Sequence, residues 1–316
     1  MVAAGRIGAG GYSEWVDLSL PRLRRLAVSE QLFRRLSLAS AVMLIVIVGS
    51  GTTVRLTGSG LGCEHWPGCQ AGVFFPETGY HSYIEFSNRV VAAVTILATL
   101  AAFVAALKVA SARRWVRWVA GLAFAGTAAQ APLGEITIHY KLNPWLVGMH
   151  FLLSIVVLAL GVLVALEAWN VRGEPVPLRL RQFAAVAGVA CGALIVSGVL
   201  ATAAGPHSGS VGVPRVWKFQ PAVWLHVRAT AVFFVAFLVV IAWLGARMSQ
   251  RHLRSALVVL GLLVIQMAIG EIQYRTKLPL GLVIAHVTLS AVVWAATVAF
   301  VATMWRPVRR HDVAPQ

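Results

Sequence analysis

Apolar residues gather into eight runs along the chain, beginning near Leu36, Glu85, Trp118, Leu146, Gln182, Ala222, Ser255 and Gly281. Each is about 20 residues long, the length a helix rising about 1.5 Å per residue needs to cross roughly 30 Å of hydrocarbon. The pattern predicts an all-α membrane protein with eight transmembrane helices. On one side of the membrane the connections are unequal. Arg55 to Tyr83 and Gly205 to Pro221 are long and rich in Gly, Pro, Trp and His, whereas those around His139 to Pro144 and Arg275 to Pro279 are tight. Long connections of that composition read as lids over a site.

The polar positions inside this pattern repeat. Gln130, Gly134, Glu135, Ile136, Lys141, Leu142, His150, Leu153 and Ser154 recur as Gln266, Gly270, Glu271, Ile272, Lys277, Leu278, His286, Leu289 and Ser290, at a constant offset of 136 positions. The chain is therefore read as a tandem duplication of a four-helix unit. Four crossings return the chain to its starting side, so the halves have the same orientation and form two tandem four-helix bundles, related by a pseudo-two-fold axis along the membrane normal. The expected organisation is a basic tail over 1–35, a first half over 36–168, a Pro-rich linker over 169–181, a second half over 182–305 and a tail over 306–316. The Leu18 to Leu26 stretch fits a segment lying on the membrane surface and an unstructured lead equally well.

Composition agrees with the pattern: 59% of residues are hydrophobic and 12% charged, against about 25% charged in soluble proteins. The first run has no small-residue cleavage site of the A-x-A kind, so a retained span is expected. A formal charge of +16 raises the question of nucleic acid, and the placement of the charges answers it. Basic residues concentrate in the leading tail and in the Lys108 to Arg117, Arg172 to Arg181, Arg247 to Arg254 and Arg306 to Arg310 segments. The opposite loops keep only Arg55, Lys141, Arg215, Lys218, Arg275 and Lys277. This is the positive-inside arrangement. It predicts a multi-pass protein of the plasma membrane with both termini cytoplasmic and a basic balance serving topology and anionic lipid, with no nucleic-acid partner.

Candidate chemistry sits near the other face. Cys63 and Cys69 share the first long loop, where an oxidising environment favours a disulfide; a free thiol pair and a metal site with His65 are the alternatives. Cys191, in mid-helix, reads as a packing residue. His226 and His286 each lie about one turn inside a helix, at matched depth. Two neutral imidazoles so placed are what a bis-histidine haem needs, and Arg228 is near enough to reach a propionate. The corresponding first-half positions are Asn88 and His150. Asparagine is a poor iron ligand, so a haem held there by His150 has an open position. Glu85, one turn before Asn88, either serves chemistry at that open site or is a boundary residue, solvated by headgroups or paired with Arg89. Glu135 and Glu271, equivalent in the two copies, point to a shared architectural task such as pairing with Lys141 and Lys277 or capping a loop.

The run Gly51-Thr-Thr-Val-Arg-Leu-Thr-Gly-Ser-Gly-Leu-Gly-Cys63 with Trp66, Pro67 and Cys69, followed by Glu85, Arg89, Gly205-Pro206-His207 and the four-plus-four helices, resembles the haem A synthase family over about residues 36–305. The resemblance implies an oxidoreductase that converts the C8 methyl of haem O to the formyl group of haem A, by successive hydroxylations and loss of water from a gem-diol, for cytochrome oxidase biogenesis. It implies a haem b ligated by His226 and His286, and a substrate pocket in the first half using Glu85, Arg89 and His150. Asn88 departs from the pattern, since the family carries a histidine there. The paired cysteines match one branch. Implied partners are farnesylated haem O, the bilayer, haem O synthase and cytochrome oxidase assembly components. Two rival functions share the histidines: a haem b electron relay without catalysis, and a haem carrier, which needs a polar path through helix halves that are almost uniformly apolar.

Overall fold

The computed structural model describes residues 27–77, 79–206, 214–246 and 249–306. The Leu18 to Leu26 stretch, His207, Arg247, Arg309 and Arg310 lie outside the described residues. Among the described residues, eight helices account for the fold: α1 (Glu30–Leu56), α2 (Tyr80–Lys108), α3 (Arg114–His139), α4 (Pro144–Ala168), α5 (Leu178–Ala204), α6 (Phe219–Ala246), α7 (Gln250–Arg275) and α8 (Leu280–Met304). No strand forms among them; a single bridge joins Gln70 to Val73.

Seven of the eight helices are long and apolar enough to cross a membrane, and α3 is the exception. It spends its middle on Ala and Gly and carries Gln130 and Pro132, so it packs closely without being strongly hydrophobic. Many large apolar side chains face outward, Val186, Val189, Val232, Val235 and Val258 among them. Water penalises such a surface and lipid does not. The molecule is a multi-pass membrane protein.

Local chemistry sets the helix ends. Ser29 Oγ accepts the Leu32 N–H at 3.2 Å, so α1 starts ahead of its apolar run. Asn143 caps α4 through the Trp145 N–H at 3.0 Å, with Pro144 in the first turn, where its missing N–H costs nothing. The two tight connections are built alike. Lys141 and Leu142 have φ of 51° and 58°, Lys277 and Leu278 both 62°, and the Leu142 and Leu278 N–H groups reach back to the Thr137 and Gln273 carbonyls at 2.8 and 2.7 Å.

Helices α1 to α4 close a ring in which α1 touches α2 and α4 while α3 touches both of these; α5 to α8 close a second ring with the corresponding contacts. The rings meet where α8 packs on α1 and α4, and α4 on α5. Small residues permit the approach. A Cβ on Gly49 would stand 2.9 Å from Thr288 Oγ1, and one on Gly148 2.9 Å from Val199. Trp294 Nε1–H donates to the Ile155 carbonyl across the boundary at 2.9 Å.

At the end carrying the 169–181 linker, Glu167 is buried and takes Arg172 at 3.0 Å, Arg113 at 3.9 Å and Arg306. The Gly173 N–H donates to the Arg306 carbonyl at 3.0 Å, Ser249 Oγ to Glu174 at 2.7 Å, and His252 Nε2–H to the Glu174 carbonyl at 3.0 Å. These contacts tie α4, the linker, α7 and the end of α8 together. The opposite end, where the two long loops lie, holds the candidate site.

Candidate functional site

His226 on α6 and His286 on α8 face each other across the second ring, with ring centroids 6.4 Å apart and planes at 78°. Each imidazole lies against a glycine. A Cβ on Gly198 would be 3.1 Å from His226 Cε1, and one on Gly270 2.9 Å from His286 Cε1, so larger residues at either place would push the rings inward. Ser197 fixes one tautomer. Its hydroxyl donates to the Leu194 carbonyl at 2.6 Å, leaving its oxygen to accept from His226 Nδ1–H at 3.0 Å. The Nε2 lone pair of His226 is then free to bind a metal, the arrangement in which a second ring nitrogen orients a ligand.

The two rings border a cavity of ≈ 1050 Å³. It is mostly apolar and extends to the boundary between the halves, where α1 contributes Arg55 and α4 contributes Gly148 and Phe151. A metal bonded at about 2 Å to one nitrogen of each ring would set the centroids about 6 Å apart, which the observed spacing matches. Among the described residues no third His, Cys, Asp or Glu joins them in a ligand group. Two facing imidazoles and no other protein donor could hold a porphyrin iron, which would supply one-electron chemistry.

The first ring repeats the frame with one change. Gln130 Nε2 donates to the His150 carbonyl at 3.1 Å, as Gln266 Nε2 does to the His286 carbonyl at 2.9 Å. A Cβ on Gly134 would lie 3.7 Å from His150 Cε1, and one on Gly51 3.9 Å from Asn88 Oδ1. Gly51 on α1 thus faces Asn88 as Gly198 on α5 faces His226, although Asn88 Oδ1 has no partner like the Ser197 hydroxyl on His226. Nδ1 of His150, Nδ1 of His286 and Oδ1 of Asn88 are buried without hydrogen-bond partners. None of Glu85, Asn88 and His150 lines the large cavity.

Glu85 is 3% exposed and occupied on both oxygens. One receives Arg89 Nη2 at 2.6 Å and the other the Cys63 N–H at 2.9 Å. Arg89 continues to the His65 carbonyl at 2.6 Å and to that of Gly68. Glu85 and Arg89 are paired, and the pair fastens the first long loop to α2. Cys63 and Cys69 are disulfide-bonded with Cα atoms 4.3 Å apart, so neither free thiols nor a metal site with His65 describes them. In the Thr57 to Cys63 run, Ser59 Oγ lies 2.9 Å from His81 Nδ1, and Ser82 Oγ donates to the Gly62 carbonyl at 2.6 Å. Gly62 is required, because a Cβ there would meet the His81 carbonyl group at 2.6 Å.

Two expected placements need correction. Arg228 is exposed and does not line the cavity: two residues beyond His226 on a helix is about 200° around its axis, which turns the side chain away. Glu271 pairs with Arg275, one turn on, and not with Lys277; Glu135 is exposed. Conversely, Ser197, Gly198 and Arg55 belong to the site without having been singled out. The repeated Ser-Gly pair, Ser50-Gly51 and Ser197-Gly198, was the available sequence signal for the first two.

Fold and site together define a polytopic helical membrane protein with facing histidines over an internal cavity. The sequence model of the COX15-CtaA family, described as cytochrome oxidase assembly protein, matches residues 34–81 and 72–298, and the chain belongs to that family. Similar proteins include the heme A synthase of Symbiobacterium thermophilum, 25% identical over 89% of this chain and 98% of that protein. That of Bacillus licheniformis is 26% identical over 79% and 88%. That of Bacillus pumilus is 37% identical over a shorter match, 40% of this chain and 41% of that protein.

Proposed function

We infer that this chain is a haem A synthase, an oxidoreductase converting haem O to haem A in a membrane for cytochrome oxidase assembly. The observation that carries the reading is the pair of facing imidazoles, 6.4 Å apart, in a frame that recurs around Asn88 and His150. In this reading the two rings of helices are tandem copies related by a pseudo-two-fold axis, and each is a porphyrin site near the extracytoplasmic face of the plasma membrane, with both termini cytoplasmic. His226 and His286 hold a haem b, which when bound supplies one-electron transfer. Ser197 keeps the His226 ring in the ligating tautomer, and Gly198 and Gly270 leave the rings room. His150 offers the substrate's iron one nitrogen, and Asn88 leaves the opposite side accessible. Glu85 and Arg89 act by holding the disulfide-closed loop over the first ring. Haem O brings a farnesyl chain whose burial is worth about 0.8 kcal/mol per CH₂, so entry from the bilayer between helices is favoured over entry from water.

Co-expression with a haem O synthase, followed by solvent extraction and mass analysis of the pigments, tests the activity. A formyl-bearing haem that depends on this chain and disappears in His150→Ala is expected. A haem b spectrum with no formyl product would make the protein an electron relay and end the proposal.

A further inference from the structure

Arg55 ends α1, a helix of the first half, yet its side chain lines the cavity bordered by His226 and His286. Its Nε and Nη2 are buried and make no hydrogen bond. A guanidinium cannot shed its charge, and inside a membrane such a group is costly without an anionic partner. Among the described residues none is found. Of the side chains bordering the cavity only Glu271 is acidic, and it is taken by Arg275; the 205–221 connection contains no Asp or Glu.

Height along the bundle says what the guanidinium can meet. Gly49 of α1 packs against Thr288 of α8. Six residues beyond Gly49 raise Arg55 about 9 Å toward the long-loop end, while His286, two residues before Thr288, is raised about 3 Å. Arg55 therefore stands roughly one turn above the ligand pair, on the side of the cavity nearest the polar loops, where a porphyrin's carboxylates find hydrogen-bond donors and its rings do not.

We propose that Arg55 is the carboxylate-binding residue of the second-half cavity, taking a haem propionate in the role that sequence position alone suggested for Arg228. The inference rests on the haem reading of the His226 and His286 pair. It has a structural corollary: the second-half haem is gripped by both halves, since α1 reaches across the boundary to supply the charge.

The test compares haem b with its dimethyl ester, in which both propionates are neutral, in titrations of the detergent-solubilised, haem-depleted full chain read by the low-spin Soret band. The unaltered chain is expected to bind haem b about tenfold or more tightly than the ester. Arg55→Gln brings that ratio close to one while still binding the ester, which also shows that the variant folds. Arg55→Lys recovers part of the preference, and Arg228→Gln leaves it intact. An undiminished preference in Arg55→Gln overturns the assignment of Arg55 alone. If neither pigment gives a low-spin band that His226→Ala or His286→Ala abolishes, the haem reading falls and this proposal falls with it.

Discussion

At the scale of single residues, the site turns on which nitrogen carries a proton and which ring is missing. Ser197 accepts from His226 Nδ1–H, so it strengthens the imidazole as an electron donor at Nε2. Ser197→Ala is expected to keep the fold, weaken haem retention by about tenfold and move the midpoint potential upward, because a less basic ligand favours ferrous iron. Redox titration of the purified protein reads both, and an unchanged potential would remove Ser197 from the site. Asn88 occupies in the first ring the place of His226 in the second, with Gly51 against it as Gly198 is against His226. Asn88→His should therefore create a second bis-imidazole site, raising the low-spin haem signal per polypeptide when haem is supplied. A variant with no added low-spin signal would show that the two frames are not equivalent in use.

At the scale of elements, the first long loop is rigidly fastened. The disulfide closes it, Glu85 and Arg89 bind its backbone, and Gly62 lets it pass against the start of α2. Gly62→Ala forces a Cβ into the His81 backbone and is expected to cost about 1–3 kcal/mol, seen as a lowered thermal midpoint in detergent. Gly281→Ala, where a Cβ meets nothing within 4 Å, serves as the neutral control. Glu85→Gln keeps an acceptor for the Cys63 N–H but leaves Arg89 without its charge partner. It should loosen the loop, detectable as faster proteolysis between Arg55 and Tyr80, before it alters haem bound by His226 and His286.

At the scale of the whole molecule, two rings of helices are joined in the middle by small-residue contacts and at the linker end by Glu167. Removing one partner of a partly buried charge network costs about 1–3 kcal/mol. Glu167→Gln leaves Arg172, Arg113 and Arg306 facing one another, so a loss of that order is expected, with earlier thermal unfolding than in any single arginine variant. Much of this organisation was legible in the amino-acid sequence because the same spacing occurs twice: Gln130 and His150 against Gln266 and His286 marked the frame, and apolar run lengths marked the helices. What the chain did not disclose depends on contacts between distant segments. Arg55 looks like a loop cation until α1 is packed on α8; the hold of Glu85 on the Cys63 N–H shows only once the loop folds onto it; and Arg228 looks close to His226 until the helical turn carries it to the exposed face.

The claim everything else depends on is that His226 and His286 clasp one iron. Electron paramagnetic resonance of the oxidised, purified protein tests it most directly. With imidazole planes at 78°, the account predicts a low-spin ferric haem signal of the strongly anisotropic, large-g type that nearly perpendicular axial ligands produce, lost in both His226→Ala and His286→Ala. A haem whose signal is high-spin in the unaltered chain, or low-spin and unmoved by either substitution, would contradict it.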